Sequence, residues 1–469
     1  MKKYILFCVL LFGVHELKAQ TGVIGIWEGK MNAGVELRMI FHFYKDEKNQ
    51  MAATMDCPDQ GIKDVKANSL KIDNDSIYLE VRQFNVTYSG KLIGDSIIIG
   101  SFKQGTPLPL TFRKVKSVTI TKKPQTPVPP FPYLIEDLVY QNGDKSISYG
   151  ATITIPQGKG PFPAVLLLTG SGQQNRDEEM LGHKPFAVIA DHLTRNGFIV
   201  LRVDDRGMGK TTGDVLSATT LDFAKDATTS FEYLKSRKEV NQSKIGLIGH
   251  SEGGMIAQIL GAERNDLSFI IMLAGPGENN IKLMEDQNRA ILTKAGLSEE
   301  YINSYLPFYR NFLTTILTSD QGSVLNNLTK VVDDWIAATP KNVVTATTGI
   351  SDETTKQRFI NQFRNQVDRP WFRYFLSYDP AVNLKKIKAK VLALNGSNDI
   401  QVVSKGNLAA IEQALKQGQS AGYEIKELPG LNHLFQECKS CTVAEYGQLD
   451  QTISPVVLQI ITEWMKAVK

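Results

Sequence analysis

The stretch that decides the fold is IGLIGHSEGGMIA, residues 245–257. An apolar-leaning run enters the pentapeptide GHSEG, residues 249–253, and a helix-compatible segment follows. The pattern G-x-S-x-G between a strand and a helix predicts a nucleophile elbow, a strained turn that points the Ser251 hydroxyl out of the sheet. Gly249 and Gly253 remove Cβ atoms that would collide where strand and helix come close. An ordinary glycine turn is the alternative.

The segments around this stretch alternate between apolar strand-like runs and amphipathic helical patterns. PAVLLLTG, FIVLRVDD, SFIIMLAG and AKVLALNG are nearly continuous in apolar residues, which is typical of parallel strands covered on both faces. We therefore predict an α/β catalytic domain over 134–469 with a mostly parallel sheet. The helix-like segment 277–379, rich in aromatic residues, is predicted to be a lid insertion over the active site.

The front of the chain has a different rhythm. Residues 20–118 carry short β-branched and aromatic runs, with a hairpin signal at Gly94-Asp95, and predict a small antiparallel barrel or sandwich. The stretch KKPQTPVPPFPY, residues 122–133, holds five prolines. Such a composition favours a stiff, extended linker, and we place that linker at 119–133.

The N-terminal residues predict where the protein is located, and its net charge limits the partners we expect. Residues 1–19 combine Lys2 and Lys3 with an apolar run and a small residue at Ala19, which predicts a secretory signal peptide. A buried helix is the alternative. The apolar run is too short to span a membrane, so we expect a periplasmic or secreted protein without a membrane span. The net charge of +4 over 469 residues, with no basic stripe, argues against a nucleic-acid partner.

Three cysteines remain after the predicted cleavage: Cys57, Cys438 and Cys441. The last two form CKSC, which an exported protein can close as a local disulfide; two free thiols are the alternative. A zinc site would need two further ligands nearby, and the sequence offers none. We therefore expect neither a metal nor another cofactor.

A serine nucleophile needs a base and an acid that orients the base. Where the serine lies on a nucleophile elbow, the chain order is serine, then the acid, then a histidine as the base. His433, in ELPGLNHLFQ, follows the last predicted strand, and Asp399, in AKVLALNGSNDIQV, follows the strand before it. Loops after strand ends are where catalytic groups collect in α/β sheets. We predict the triad Ser251, Asp399 and His433. His183, in a loop, stays open as another base, and Asp379 is the alternative acid.

An oxyanion hole needs two backbone N–H donors. The amide of Glu252, directly after the nucleophile, is the first. Ser171 in the loop after AVLLLTG is the second predicted donor, with Gly172 as its alternate; a simple tight turn is compatible with this. One false lead is DDRGMGKTTG, residues 204–213, which contains Gly-Lys-Thr. A phosphate-binding loop requires glycine where Asp204 stands, and this excludes nucleotide binding there.

Taken together, several stretches resemble the α/β-hydrolase family, and more closely the exported two-domain bacterial esterases of the EstD type, which are related to the serine aminopeptidase-like group. The matching stretches are GPFPAVLLLTGSGQQNRDE, HKPFAVIADHLTRNGFIVLRVDDRGMGKTTGD, IGLIGHSEGGMIA, PWFRYFLSYDP, LALNGSNDIQV and LNHLFQ. The resemblance implies metal-independent hydrolysis of carboxylic esters, commonly with short acyl chains. It places the nucleophile on Ser251, the acid on Asp399, the base on His433 and the oxyanion loop on Ser171.

The sequence thus predicts an exported serine carboxylesterase that acts through an acyl-enzyme on a small-molecule or glycan-linked ester. A serine aminopeptidase-like exopeptidase is the second hypothesis. It requires carboxylates near the site to hold a free amino terminus, and Glu178, Glu179 and Glu252 are the candidates. A third hypothesis makes the front β domain a binding module for envelope glycan or a partner, with incidental hydrolase activity.

Overall fold

A computed structural model describes residues 22–32, 36–60, 62–104, 106–118, 123–367 and 369–468. The predicted signal peptide, residues 1–19, lies outside these ranges. The chain divides into two units, residues 1–121 and 122–469. This boundary falls inside the segment 119–133 that the sequence predicts as a linker.

The first unit is built from nine strands joined by short turns. They are β1 Gly25–Asn32, β2 Glu36–Lys45, β3 Met51–Cys57, β4 Ile62–Lys66, β5 Ser69–Asp73, β6 Ser76–Val81, β7 Val86–Ile93, β8 Ile97–Gln104 and β9 Thr106–Val115. All pairings are antiparallel, in the order β4-β3-β2-β1-β9-β8-β7-β6-β5. The predicted hairpin at Gly94 is confirmed, with a φ of 59° at that glycine.

Aromatic side chains form the core of this unit. The Phe41 ring on β2 stacks on Phe112 of β9 at 4.5 Å and meets Tyr88 of β7 at 5.3 Å. Because β2 and β7 are not neighbours in the sheet, this contact requires the sheet to curl around its core. The all-β prediction is confirmed, and the described strands form one curled antiparallel sheet rather than two stacked sheets.

The second unit contains an eight-stranded sheet in the order β10-β11-β13-β12-β14-β15-β16-β17. Its strands are β10 Tyr133–Gln141, β11 Ser148–Pro156, β12 Phe162–Leu168, β13 Ile199–Val203, β14 Val240–His250, β15 Phe269–Leu273, β16 Lys390–Gly396 and β17 Tyr423–Leu428. β11 pairs antiparallel with β10 and β13. The other six strands, in the sheet order β13-β12-β14-β15-β16-β17, all pair parallel with their neighbours. The predicted α/β class is therefore confirmed.

Helices cover both faces of this sheet. They are α1 Pro185–Arg195, α2 Thr220–Ser236, α3 Glu252–Glu263, α4 Asn280–Lys294, α5 Glu299–Thr318, α6 Val324–Ala338, α7 Lys341–Thr348, α8 Glu353–Val367, α9 Pro370–Ser377, α10 Pro380–Leu384, α11 Ser404–Lys416, α12 Val443–Tyr446 and α13 Pro455–Ala467. Along β14, Leu247 packs into one apolar core and Ile248 into the other. In the described residues, no helix has the length and apolar character needed to cross a membrane.

Helices α4 to α10 form one insertion between β15 and β16, where the sequence predicts a lid over 277–379. Tyr305, Phe308 and Phe312 on α5 are buried, and Phe308 stacks on Trp335 of α6 at 4.2 Å. These aromatic side chains therefore pack the insertion itself.

The proline-rich segment is attached to the second unit. Lys123 Nζ donates to the carbonyls of Gly447 and Leu449 at 2.8 and 2.7 Å, and Gln125 Nε2 donates to Ile453 O at 2.8 Å. These bonds hold the start of the segment against the C-terminal part of the same unit.

Candidate active site

Ser251 occupies a strained turn between β14 and α3. Its φ of 53° and ψ of −119° are rare for a residue with a side chain. Such strain costs about 1–3 kcal/mol and persists only where the surroundings enforce it. The Ser251 amide donates to Leu273 O at 2.9 Å, and Gly254 N donates to Ser251 O at 2.9 Å. The neighbouring strand end and the first turn of α3 therefore hold the residue in this conformation.

The glycines around Ser251 allow the strand and the helix to approach each other. A Cβ added at Gly253 would collide with the carbonyl of Leu168, and one added at Gly249 would collide with the carbonyl of Gly253. Both obstacles are backbone atoms, which cannot rotate away as a side chain can. Only glycine fits at either position without a shift of the elbow.

Asp399 and His433 form a buried pair at the carboxyl edge of the sheet. His433 Nδ1 lies 2.7 Å from Asp399 Oδ2, and the two residues are 5% and 4% exposed. Asp399 Oδ1 accepts from the amides of Gln401 and Val402 at 2.8 and 2.9 Å. The carboxylate is thus fixed so that His433 keeps its proton on Nδ1 and leaves Nε2 free to accept one.

Three loops of the sheet bring these residues together. Ser251 follows β14, Asp399 follows β16 and His433 follows β17, and the carboxyl ends of parallel strands share one edge of a sheet. The ring of His250, next to Ser251, lies 4.8 Å from the ring of His433. The alternative acid, Asp379, caps α10 instead, where its side chain accepts from Ala381 N at 3.0 Å.

The loop after β12 lies beside the nucleophile. A side chain at Gly170 would meet Ser251 Cβ at 3.3 Å, so the backbone of this loop comes close to the reacting hydroxyl. Gly172 has a φ of 101°, a conformation that suits glycine. The Ser171 side chain hydrogen-bonds Glu252. The predicted oxyanion donors therefore lie on the loop after β12, at Ser171 or Gly172, and at the start of α3, at Glu252. The hydrogen bond between the Ser171 and Glu252 side chains joins these two segments.

The Glu252 carboxylate is buried behind the elbow, at 3% exposure. Its Oε1 accepts from Thr220 Oγ1 at 2.6 Å and from the Trp371 indole at 2.8 Å. Burial raises the pKa of Glu252, and the hydrogen bonds from Thr220, Trp371 and Ser171 offset part of that rise. Trp371 lies on α9 of the insertion, so this carboxylate joins the insertion to the elbow.

One interaction at the site escaped sequence reasoning. His250 Nδ1 lies 3.0 Å from Glu178 Oε1, and His250 Nε2 lies 3.0 Å from the His433 carbonyl oxygen. Burial opposes a charge on His250, but the attraction of Glu178 outweighs it, and the pKa of His250 is raised. Glu178 lies far from His250 in the chain, and no local pattern signals their contact.

His183, the base that the sequence left open, is fully buried away from this site. Its Nδ1 lies 2.9 Å from Thr452 Oγ1, and its Nε2 lies 3.0 Å from Tyr446 O. Burial lowers the pKa of His183 to about 4, so the ring is neutral. These contacts assign it to packing of the C-terminal segment.

The three cysteines of the described chain are Cys57, Cys438 and Cys441. Cys438 and Cys441 form a disulfide, and Cys57 is a buried free thiol whose pKa burial raises to about 12. Within the described ranges, no three His, Cys, Asp or Glu side chains are grouped so as to hold a metal ion.

Comparisons with known proteins now bear on this geometry. Residues 183–325 match the family model described as serine aminopeptidase, S33. Esterase EstD of Thermotoga maritima is 37% identical over 154 residues, which are 32% of this chain and 36% of that protein. Acyl-coenzyme A thioesterase 3 of Mus musculus is 28% identical over 131 residues, which are 28% of this chain and 27% of that protein. The matched regions span about a third of these relatives.

Among solved structures, an esterase of Pyrococcus furiosus aligns with 75% of this chain and 98% of its own, at 14% identity and a TM-score of 0.42. The family match contains Ser251 and ends before Asp399 and His433. With a mostly parallel sheet, helices on both faces and a strained serine after its fifth strand in chain order, the second unit has the α/β-hydrolase fold, and its residues 183–325 are similar to the serine aminopeptidase, S33 family.

Proposed function

We propose that this chain is a serine hydrolase of carboxylic esters, with Ser251 as nucleophile, His433 as base and Asp399 as the orienting acid. The observation that carries the proposal is the buried hydrogen bond of 2.7 Å between His433 Nδ1 and Asp399 Oδ2, beside a strained serine at the same sheet edge. The similarity to Esterase EstD supports the choice of ester as the substrate bond.

The proposed reaction has two halves. His433 Nε2 takes the Ser251 proton as the hydroxyl oxygen attacks the ester carbonyl, and the amides of Glu252 and Ser171 stabilise the tetrahedral oxyanion. The alcohol leaves with the proton from His433, and the acyl group stays on Ser251. A water molecule activated by His433 then attacks the acyl-enzyme and releases the acid.

The test compares wild type with Ser251→Ala on nitrophenyl acetate. We expect turnover to fall by at least about 10³-fold, while circular dichroism and the unfolding midpoint stay unchanged. Ser243→Ala is a matched control, because Ser243 lies at the opposite, entry half of the same strand β14. Equal turnover in folded Ser251→Ala and wild-type protein would reject the assignment of the nucleophile.

We further propose that the acyl group is short. A cavity of about 60 Å³ is lined by Gly170 and Glu252 of the candidate site and by Phe223 and Ile256, among others. So small a cavity suits a short acyl group better than a long one. A chain-length series of nitrophenyl esters should lose at least about tenfold in kcat/KM between acetate and octanoate. Equal values across the series would contradict a short-acyl site.

A serine aminopeptidase-like activity is the second candidate, because the family model that matches residues 183–325 carries that description. The carboxylates that would hold an amino terminus have other partners here. Glu178 accepts from Gly170 N at 2.7 Å, Glu179 pairs with Lys184 at 3.0 Å, and Glu252 accepts from Thr220 and Trp371. Turnover of alanyl- or prolyl-nitroanilide without ester turnover would favour the peptidase.

We also propose that the protein is exported after cleavage behind Ala19, and that its substrate is a small-molecule or glycan-linked ester. The basic start and the apolar run of residues 1–19 support export. Expression of the full chain in a Gram-negative host should yield periplasmic or secreted protein that begins at Gln20, as read by N-terminal sequencing. Uncleaved protein in the cytosol would contradict export, and acetylated xylan beside nitrophenyl acetate tests the glycan-linked class.

A further inference from the structure

A buried glutamate and a buried histidine connect the two halves of the proposed catalytic machinery. The Glu178 and His250 side chains are only 2% and 7% exposed. Glu178 Oε1 accepts from Gly170 N at 2.7 Å in the oxyanion loop and also contacts His250 Nδ1 at 3.0 Å. His250 Nε2 reaches the His433 carbonyl oxygen at 3.0 Å. One continuous chain of hydrogen bonds thus joins the loop after β12, the end of β14 and the loop after β17.

The donors and acceptors in this chain fix the protonation of His250. The His433 carbonyl can only accept, so His250 Nε2 must carry a proton. Glu178 Oε1 lies 3.0 Å from His250 Nδ1. An ionised carboxylate can only accept hydrogen bonds, so beside the Glu178 carboxylate Nδ1 carries a proton too. A ring with protons on both nitrogens is an imidazolium, and its charge is balanced by the Glu178 carboxylate beside it.

We propose that Glu178 and His250 form a buried ion pair that holds the His433 loop in register with the oxyanion loop, and that both act as positioning residues. The inference rests on the proposed function for its kinetic consequence, whereas the ion pair itself does not depend on any activity. The titratable groups that face His250 are Glu178, Asp399 and His433, and the two acids favour its charged form.

A positioning role predicts a particular pattern of kinetic loss. A displacement of about 1 Å between reacting groups can cost about 10²-fold in rate. Glu178→Gln keeps the size of the side chain but removes the charge that holds the second proton on His250. We expect kcat for nitrophenyl acetate to fall about 10- to 100-fold, with KM changed less than about threefold. The rate at which a fluorophosphonate labels Ser251, measured by intact mass, should fall in parallel.

The matched control is Glu179→Gln, the same chemical change one residue along the chain. Glu179 Oε2 pairs with Lys184 Nζ at 3.0 Å and accepts from Asn175, and it belongs to neither the His250 contact nor the catalytic pair. We expect its kcat and labelling rate to stay within about twofold of wild type. Equal losses in the two variants would mean that general disturbance of the 175–184 loop, and not the ion pair, causes the effect.

The protonation state is tested on the whole mature protein by NMR with ¹⁵N-labelled histidine. At pH 8 we expect one doubly protonated ring, assigned to His250 by its nuclear Overhauser contact with the His433 ring and by its loss in His250→Asn. This signal should convert to the neutral form in Glu178→Gln. A neutral His250 in wild type would overturn the ion pair, even if a variant failed to fold.

The remaining outcomes separate the two proposals. An imidazolium at His250 together with unchanged kcat and labelling rate in Glu178→Gln would overturn the positioning role. Ester turnover that is absent in wild type, with His250 charged and fluorophosphonate labelling slowed by Glu178→Gln, would overturn the ester substrate and retain the positioning role.

Discussion

The Asp399 carboxylate performs two tasks with its two oxygen atoms. Oδ2 accepts from His433 Nδ1, and Oδ1 accepts from the amides of Gln401 and Val402. The two amides prevent the carboxylate from rotating, so the orientation of the His433 ring is inherited from the backbone of the loop after β16. Backbone donors fix an acid at a lower entropic cost than side-chain donors, because a backbone amide in an ordered loop has no side-chain rotamers left to restrict.

Replacing this acid tests the pair directly. In Asp399→Asn, the amide nitrogen would face His433 Nδ1 and favour the wrong tautomer, so we expect kcat to fall about 10⁴-fold with little change in KM. Steady-state kinetics on nitrophenyl acetate measure the effect. Asp379→Asn is the matched control: that exposed residue only caps α10, and its kcat should stay at the wild-type value. Comparable losses in both variants would leave the choice of acid unsupported.

Gly253 supports a prediction about stability. Its missing Cβ leaves room for the Leu168 carbonyl, and overpacking against backbone costs about 1–3 kcal/mol or more. Gly253→Ala should therefore lower the free energy of unfolding by at least about 2 kcal/mol in urea titrations and reduce turnover. At Gly322, an added Cβ meets nothing within 4 Å, so Gly322→Ala should change stability by less than about 0.5 kcal/mol. Similar midpoints for the two variants would refute the close approach.

At the scale of elements, the helical insertion is joined to the elbow through Trp371. Its indole donates to Glu252 Oε1 at 2.8 Å, while its ring stacks on Phe375 of the same helix at 5.4 Å. The Glu252 carboxylate also accepts a hydrogen bond from Thr220 at the start of α2 and is hydrogen-bonded to Ser171 in the loop after β12. Helix α9 is therefore hydrogen-bonded to the side chain of Glu252, and the backbone amide of this same residue is a predicted oxyanion donor.

Trp371→Phe separates the hydrogen bond from the ring contacts. A buried acceptor that loses a donor costs about 1–3 kcal/mol, so peptides covering 370–377 should exchange their amide hydrogens roughly tenfold faster in deuterium-exchange mass spectrometry. Tyr374→Phe, on the same helix, removes a polar group of a half-buried ring and should leave exchange near the wild-type rate. Identical exchange in the two variants would argue against an α9 held by Glu252.

At the scale of the whole chain, sequence patterns predicted what is local and missed what is assembled from distant segments. The glycines at 249 and 253 and the apolar strands predicted the α/β class, because these signals lie within a few residues. The order of the strands β1 to β9 in one curled sheet could not be read from hairpin signals alone, since β1 pairs with β9 from the far end of the unit. The contacts of His250 with Glu178 and of Trp371 with Glu252 join segments 72 and 119 residues apart.

His183 also makes long-range contacts, and it makes the stability of the second unit depend on pH. Its ring joins the loop before α1 to Tyr446 and Thr452 near the C-terminus. Burial lowers its pKa from 6.5 in the unfolded chain to about 4 in the folded one. Between these values the unfolded chain binds a proton that the folded chain does not, so this group's contribution to stability is complete above pH 6.5 and is lost progressively as the pH falls toward 4.

The loss over that interval should reach about 3 kcal/mol, since each unit of pKa corresponds to about 1.4 kcal/mol. Urea unfolding between pH 7 and 4, followed by tryptophan fluorescence, measures it. His183→Gln can keep a donor toward Tyr446 O and an acceptor for Thr452 but cannot titrate, so its stability should fall less steeply with acid than that of the wild type. His192→Gln, on the partly exposed side of α1, should follow the wild-type curve more closely. Parallel wild-type and His183→Gln curves would mean that acid weakens the unit through other groups.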